Sequence, residues 1–250
     1  MRSPAHILLP LAAALWLGTT AAAQDPDCAP GGNFDLSKFN LQLPIGSDSN
    51  PDSPQTISSS ELAGCDGWSD TSYFFTSSSG SLIMKVPGSP SSSGCVTTPN
   101  SDHCRTELRE TSPGSWDPNS SVNRLKVRLA VKVPGNGGIA IGQILHNLQP
   151  NKPVAELYYE PSGDIEIGVA QTTAGGNQIR QPVGHIDVGD IFTFELRYES
   201  NALSIALNDG GFQDLDTYDL DAPPCYFKTG NYNQGDAPTE VSFHDISVSH

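Results

Sequence analysis

Leu125-Lys126-Val127-Arg128-Leu129-Ala130-Val131-Lys132-Val133 decides the fold class. Leu125, Val127, Leu129, Val131 and Val133 take alternate positions, and Lys126, Arg128 and Lys132 fall between them. Successive side chains of a strand point to opposite faces, so a period of two describes a β-strand with one buried and one wet face. Segments of the same grammar lie on both sides: Phe39 to Leu43, Ser72 to Phe75, Leu82 to Val86, Ile139 to Leu145, Ala155 to Tyr159, Asp164 to Ala170, Ile191 to Tyr198, Ala202 to Asn208 and Glu240 to Val248. Ser, Gly, Pro and Asn cluster between them, as turns require. No run of a dozen residues carries a helical apolar stripe. Short one-faced strands must bury their apolar sides against a second sheet. This predicts an all-β fold, an antiparallel two-sheet β-sandwich of the jelly-roll type. The polar stretches Asp48 to Ser60 and Pro87 to Asp102 are expected to be loops, because strands flank each.

The first 23 residues stand apart. Arg2 precedes an apolar run from Ile7 to Trp16, and Ala21-Ala22-Ala23 offers a small-residue cleavage pattern before Gln24. The run is short for a membrane span, so residues 1–23 are predicted to be a secretory signal peptide rather than an anchor. Residues 24–250 then form a single domain, without internal repeat or second module, expected to act as a secreted, extracellular monomer. Removing Arg2 leaves 12 of the 13 basic residues against 28 acidic ones, a formal charge of −16 where the full chain has −15. That excess of acid argues against nucleic acid and against an anionic membrane as partners. An anionic sugar polymer stays compatible, provided that the few basic residues gather where it binds.

Five cysteines, Cys28, Cys65, Cys95, Cys104 and Cys225, suit an oxidising compartment. Cys95 and Cys104 enclose a polar loop and are the simplest pair to join. A second bridge would use two of the other three, and the sequence does not choose among them. The cysteines lack paired C-x-x-C spacing, and His103, His185, His244 and His250 form no H-x-H or H-E-x-x-H motif, so no metal is assigned. Asn119-Ser120-Ser121 is an acceptor triplet for N-glycosylation in a host that glycosylates.

Three stretches carry more chemistry than strand grammar needs. In Arg105-Thr106-Glu107-Leu108-Arg109-Glu110, Arg105, Glu107 and Arg109 share one strand face, and two guanidiniums flanking a carboxylate suit planar anions. Glu107 can hold both arginines in place. A solvated, salt-bridged strand is the structural alternative. In Tyr226-Phe227-Lys228-Thr229-Gly230-Asn231-Tyr232-Asn233-Gln234, Tyr226, Lys228, Tyr232 and Gln234 share a face on which Gly230 leaves space for a bound chain. A hydrogen-bonded edge strand is the alternative there. Gln143-Ile144-Leu145-His146 ends a Gly-rich apolar strand with an amide and an imidazole. Brought together in one groove, these groups suit β-elimination at a uronic acid. Arg105 and Gln143 would stabilise charge developing on the carboxylate and C5, while His146 and Tyr232 would move protons. Hydrolysis usually needs two carboxylates across the cleaved bond, and Glu107 and Glu110 sit on opposite faces of one strand. Glu156, Glu160 and Glu166 keep a hydrolase open, and a non-catalytic sugar-binding domain of this fold is also open.

The sequence resembles the alginate lyases of polysaccharide lyase family 7. Arg105 to Arg109 match that family's R-[ST]-E-[LV]-R, Tyr226 to Gln234 match Y-F-K-x-G-x-Y-x-Q, and Gln143 to His146 match Q-[IV]-H imperfectly. Asn40-Leu41-Gln42-Leu43-Pro44 is similar to the family's opening strand, and the likeness spans nearly all of residues 24–250. The resemblance implies a β-jelly roll that cuts alginate, a polymer of mannuronate and guluronate, leaving a 4,5-unsaturated uronate. It implies no organic cofactor and no obligatory metal. Carried over by position, Arg105 and Gln143 neutralise the carboxylate, His146 is base or neutralising partner, and Tyr232 is the acid, serving as base too when proton and leaving group share a side of the ring. Glu107, Arg109, Tyr226, Lys228, Asn231 and Gln234 become substrate-binding. The middle motif departs from the pattern, because Leu145 intervenes and a regular strand would turn Gln143 and His146 to opposite faces. A β-bulge at Ile144-Leu145 is expected to return His146 to the groove. If His146 has no role, Tyr232 makes both proton transfers. A lyase for glucuronan or another polyuronate is the nearest competing function.

Overall fold

The structure is a computed structural model that describes residues 24–99, 101–208 and 210–250. The expected signal peptide, residues 1–23, lies outside the described residues. In chain order the strands are β1 (Phe39–Ser47), β2 (Asn50–Ile57), β3 (Phe74–Thr76), β4 (Leu82–Val86), β5 (Arg105–Glu110), β6 (Arg124–Val133), β7 (Ile139–His146) and β8 (Pro153–Tyr159). There follow β9 (Asp164–Ala170), β10 (Gln178–His185), β11 (Phe192–Glu199), β12 (Ala202–Leu207), β13 (Gln213–Leu215), β14 (Cys225–Asn233) and β15 (Thr239–Ser249). The helices among the described residues are single turns at Pro30–Asn33, Ser59–Leu62 and Pro90–Ser93.

The strands form two antiparallel sheets, an eight-stranded one in the order β10-β9-β8-β7-β14-β5-β1-β2 and a seven-stranded one in the order β13-β12-β11-β6-β15-β4-β3. The core lies between them. β6 shows why: Leu125, Val127, Leu129 and Val131 are at most 1% exposed and pack into one cluster with Phe194, Phe227, Phe243 and Ile144 from the strands around them. Each such side chain contributes roughly 1.5–3 kcal/mol by leaving water. Val133, expected on the same face, is 43% exposed, because β6 and β15 slip register between Val131 and Val133, and the extra residue Lys132 turns Val133 outward. The sandwich of jelly-roll type is therefore observed.

Two stretches differ from expectation. Asp48 to Ser60 was expected as a loop and instead contains β2, which pairs with β1 at the edge of the larger sheet. An edge strand tolerates Pro51 and Pro54 because one side of its backbone needs no partner. β10, at the other edge, also lacks the alternation that a half-buried strand writes into its sequence: most of its residues are exposed or half-buried. Disulfides join Cys95 to Cys104, as the sequence suggested, and Cys28 to Cys65, and Cys225 is a buried free thiol. The first of these ties the 94–104 loop to the start of β5, which puts the loop over the sheet's outer face.

Candidate active site

The outer face of the eight-stranded sheet carries a groove of about 550 Å³. β5 supplies Arg105 and Arg109, β7 supplies Gln143 and Leu145, β8 supplies Glu156, and β14 supplies Tyr226, Lys228 and Tyr232, with Gln234 just beyond. Strand register gathers them. Lys228 lies opposite both Arg109 and Gln143, Tyr232 lies opposite Arg105, and Gln143 lies opposite Glu156. Paired residues of antiparallel strands share a face, so residues far apart in sequence become one polar row.

Glu107 organises the row from below. It is 1% exposed, and its carboxylate accepts from Lys228 Nζ at 3.0 Å, from Arg105 Nη1 at 3.4 Å and from Gln143 Nε2. A carboxylate can accept several such bonds, and burial strengthens each of them. Donation to Glu107 also orients the Gln143 amide, whose second hydrogen is left for the groove. Glu107 was expected to bind substrate. It sits beneath the groove instead, where three cationic or amide neighbours consume its acceptor capacity. Burial pushes the Lys228 ammonium below its ordinary range, while Glu107 opposes that fall.

Tyr232 stands at the end of the row. The Arg105 guanidinium lies 3.7 Å from the centroid of its ring, and its hydroxyl is 2.8 Å from Ser101 Oγ. Ser101 Oγ also accepts from Arg105 Nη2 at 3.0 Å, and the buried Arg105 Nε has no protein partner. Burial raises the Tyr232 phenol above its ordinary range, and Arg105 and Ser101 pull it back. Further along, Arg109 lies 4.6 Å from the Tyr226 ring centroid, and Asn151 Nδ2 donates to the Tyr226 hydroxyl at 3.3 Å. Gln234 lines the groove and donates to the Tyr232 carbonyl at 3.0 Å.

Two residues expected in the site are elsewhere. His146 was expected to reach the groove through a bulge at Ile144-Leu145. β7 and β14 instead keep regular register from Gly142 to His146, so Gln143 and Leu145 face the groove while His146 faces away. The irregularity at that point belongs to β8, which advances two residues, Ala155 to Pro153, for one on β7. The bulge within β7 falls earlier, at Ile141, between Ala140 and Gly142. His146 is 1% exposed, its Nε2 lies 2.9 Å from the Thr173 carbonyl, and the Leu148 amide donates to its Nδ1 at 3.3 Å. Accepting at Nδ1 puts the ring proton on Nε2, so both nitrogens are engaged. Asn231, expected to bind substrate, also faces inward: it is fully buried, donates to the Met84 carbonyl at 3.1 Å and accepts from Thr239 at 2.8 Å. Its neighbours Gly230 and Tyr232 point the other way, so alternation placed it on the far face.

Sequence reasoning missed Ser101, Asn40 and Gln42 as groove residues, and it raised Glu156 only as a candidate carboxylate for hydrolysis. Asn40 and Gln42 sit on β1 beside β5, and alternation with Leu41 and Leu43 could have flagged them. Ser101 belongs to a loop whose path only the tertiary structure reveals. Among the described residues, the grouped Asp25, Cys28 and Cys65 are the one cluster with metal-ligand chemistry, and both thiols are spent in a disulfide.

Known proteins resemble this chain along most of its length. The profile of a family described as alginate lyase matches residues 34–250. An alginate lyase of Klebsiella pneumoniae is 26% identical, over 89% of this chain and 91% of its own. Among solved structures, alginate lyase A1-II', described as a member of polysaccharide lyase family 7, superposes with a TM-score of 0.73 at 26% identity, covering 89% of this chain and 98% of that one. An alginate lyase of Pseudomonas aeruginosa superposes with a TM-score of 0.69 at 28% identity, covering 86% and 99%.

Proposed function

Because the chain belongs to polysaccharide lyase family 7, the alginate lyases, we propose that it cleaves the 1,4-linked mannuronate of alginate by β-elimination, with Tyr232 making both proton transfers. The family membership supports a lyase of uronate polymers. The observation that carries the finer proposal is the composition of the groove: Tyr232 reaches it beside Arg105 and Gln143, and no imidazole lines it among the described residues.

In this proposal Arg105 and the free amide hydrogen of Gln143 hold the carboxylate of the uronate whose C5–H bond breaks. Both donors are fixed by Glu107 before substrate arrives, so little reorganisation opposes their stabilisation of the charge that develops. The Tyr232 phenolate takes the C5 proton, the C5–H electrons form the C4=C5 double bond, and the C4–O4 bond breaks. The proton then passes from Tyr232 to the departing O4, which restores the phenolate. Arg105 and Ser101 favour that phenolate against the desolvation that raises it. Arg109, Tyr226, Lys228 and Gln234 bind neighbouring sugars.

A single residue can perform both transfers only when proton and leaving oxygen lie on one face of the ring. They do so in β-mannuronate, and they lie on opposite faces in α-guluronate. Glucuronate shares the mannuronate arrangement at C4 and C5, which makes glucuronan the second substrate to test. The leader expected at residues 1–23 would carry the enzyme, as a monomer, out of the cell to a polymer too large to import.

Absorbance near 235 nm on polymannuronate, polyguluronate and glucuronan tests this. We expect polymannuronate to be cut fastest and polyguluronate slowest. Tyr232→Phe should lose roughly 10²–10⁴-fold in kcat on every polymer, and His146→Ala should stay close to wild type. A polyguluronate preference, or an inactive but folded His146→Ala, would defeat the single-tyrosine account.

A further inference from the structure

Glu156 is the one acidic side chain among the described residues that line the groove, where Arg105, Arg109, Lys152 and Lys228 also lie. It is 7% exposed and stands directly across from Gln143, on the same face. Its Oε2 accepts from the Tyr158 hydroxyl at 2.9 Å and from Gln178 Nε2 at 2.5 Å. No described residue donates to Oε1. The next strand carries Gly168 at this level, and Gln178 Oε1 fills the place a Cβ would take. The carboxyl group is thus held by one oxygen, and the other is free for a ligand.

We propose that Glu156 is a substrate-binding residue that works as a neutral carboxylic acid, donating a hydrogen bond from Oε1 to the carboxylate of the uronate seated over Gln143. The inference rests on the uronate-lyase function proposed above. An ionised Glu156 would set a negative charge against an anionic substrate in a site where water screens little. A protonated one adds a third donor beside Arg105 and Gln143. Leu145, whose position carries the imidazole in the Q-[IV]-H pattern, offers an apolar side chain instead, so the groove needs a donor from another strand. The surroundings favour the neutral form: burial raises the Glu156 carboxyl above its ordinary range, and Glu107 adds to the rise, whereas Tyr158, Gln178 and Arg105 oppose it. Tyr232 and Lys228 on β14, Arg109 on β5 and Lys152 line the same groove, and Arg180 stacks 3.9 Å over Tyr158.

The sign of the pH effect follows. A group with a raised pKa is protonated on the acid side, so Glu156 binds substrate well there and loses that ability as rising pH ionises it. Activity through the Tyr232 phenolate climbs with pH, so the wild-type profile should level off as Glu156 ionises. Glu156→Gln keeps a donor and cannot ionise, and its profile should go on climbing. Glu156→Ala should lose roughly tenfold to hundredfold in kcat/KM, the worth of a hydrogen bond to a charged group.

The experiment is kcat/KM against pH for wild type, Glu156→Gln and Glu156→Ala on the polymer cut best, with thermal unfolding of each to establish folding. A Glu156→Gln enzyme near wild type that keeps climbing, beside a damaged Glu156→Ala, supports the proposal. It is overturned if folded Glu156→Ala matches wild type, or if Glu156→Gln is as damaged as Glu156→Ala, which would mean that an ionised carboxylate is needed. A wild type that releases no absorbance from any uronate polymer would instead defeat the proposed function. Calorimetric binding of oligomannuronate to wild type and Glu156→Ala would still decide the role of Glu156, through loss or retention of affinity.

Discussion

Ser101 has one hydroxyl hydrogen and two oxygens within its reach. Its Oγ accepts from Arg105 Nη2 at 3.0 Å and from the His103 amide at 3.1 Å, and it lies 2.8 Å from the Tyr232 hydroxyl and 3.1 Å from the His103 carbonyl. When Tyr232 is a phenol it can donate to Ser101 in place of one of those two donors, and the serine hydrogen goes to His103. When Tyr232 is a phenolate, Ser101 can turn that hydrogen to it. The serine therefore accommodates both states that a tyrosine acting as base and acid must visit, and it is a positioning residue in that account. Because its hydrogen bond pulls the Tyr232 phenol down, Ser101→Ala should let it rise and move the ascending limb of kcat against pH to higher pH. A lower kcat with an unmoved limb would mean that Ser101 only shapes the loop. Nothing in the sequence near Ser101 announces this, since a serine in a Ser-rich loop looks like turn chemistry.

At the scale of elements, the site depends on where strands lose their alternation. Alternation alone puts Arg105 and Arg109 on one face of β5 and Tyr226, Lys228 and Tyr232 on one face of β14, and the structure keeps both groupings. β7 breaks the pattern at Ile141-Gly142, where both residues turn inward: Ile141 joins the core, and a Cβ on Gly142 would meet the Phe194 ring at 2.6 Å. A displaced bulge of one residue reverses every side chain beyond it. That is why Gln143 and Leu145, rather than His146, face the groove. Gly230 serves strand packing rather than leaving space for substrate. A Cβ there would meet Glu107 Cα and the Thr106 carbonyl oxygen at 2.6 Å, so β14 and β5 can pair closely only with glycine at this point. Gly230→Ala should cost about 1–3 kcal/mol by overpacking and should disturb the Glu107 bonds above it. Thermal unfolding together with kcat/KM reads both effects, and an unchanged melting temperature would refute the close-packing role.

At the scale of the molecule, a formal charge of −15 surrounds a groove that gathers Arg105, Arg109, Lys152 and Lys228 against Glu156, the single lining acid among the described residues. The two scales make opposite predictions for a polyanionic substrate. If the whole-molecule charge ruled binding, salt would screen repulsion and lower KM. Because attraction acts at contact distance within the groove, we expect KM for a uronate polymer to rise several-fold as NaCl goes from about 0.05 M to about 0.5 M. A KM that falls over this range would show that the local basic groove is not what holds the polymer.

The sequence by itself determined the sandwich, because alternation in segments such as Leu125 to Val133 commits one face of each strand to the core whatever its neighbours are. It also determined the two chemical rows on β5 and β14, since a period of two assigns faces without knowledge of pairing. Only the tertiary structure decided what those rows meet. Register across the sheet put Glu156 opposite Gln143, a bulge at Ile141, beside a Gly142 that lies against Phe194, turned His146 away, and a loop tied by Cys95 and Cys104 brought Ser101 to Tyr232. The physical reason is that facing is a local property of the backbone. Register, bulge position and loop path are instead settled by close packing among residues distant in the chain.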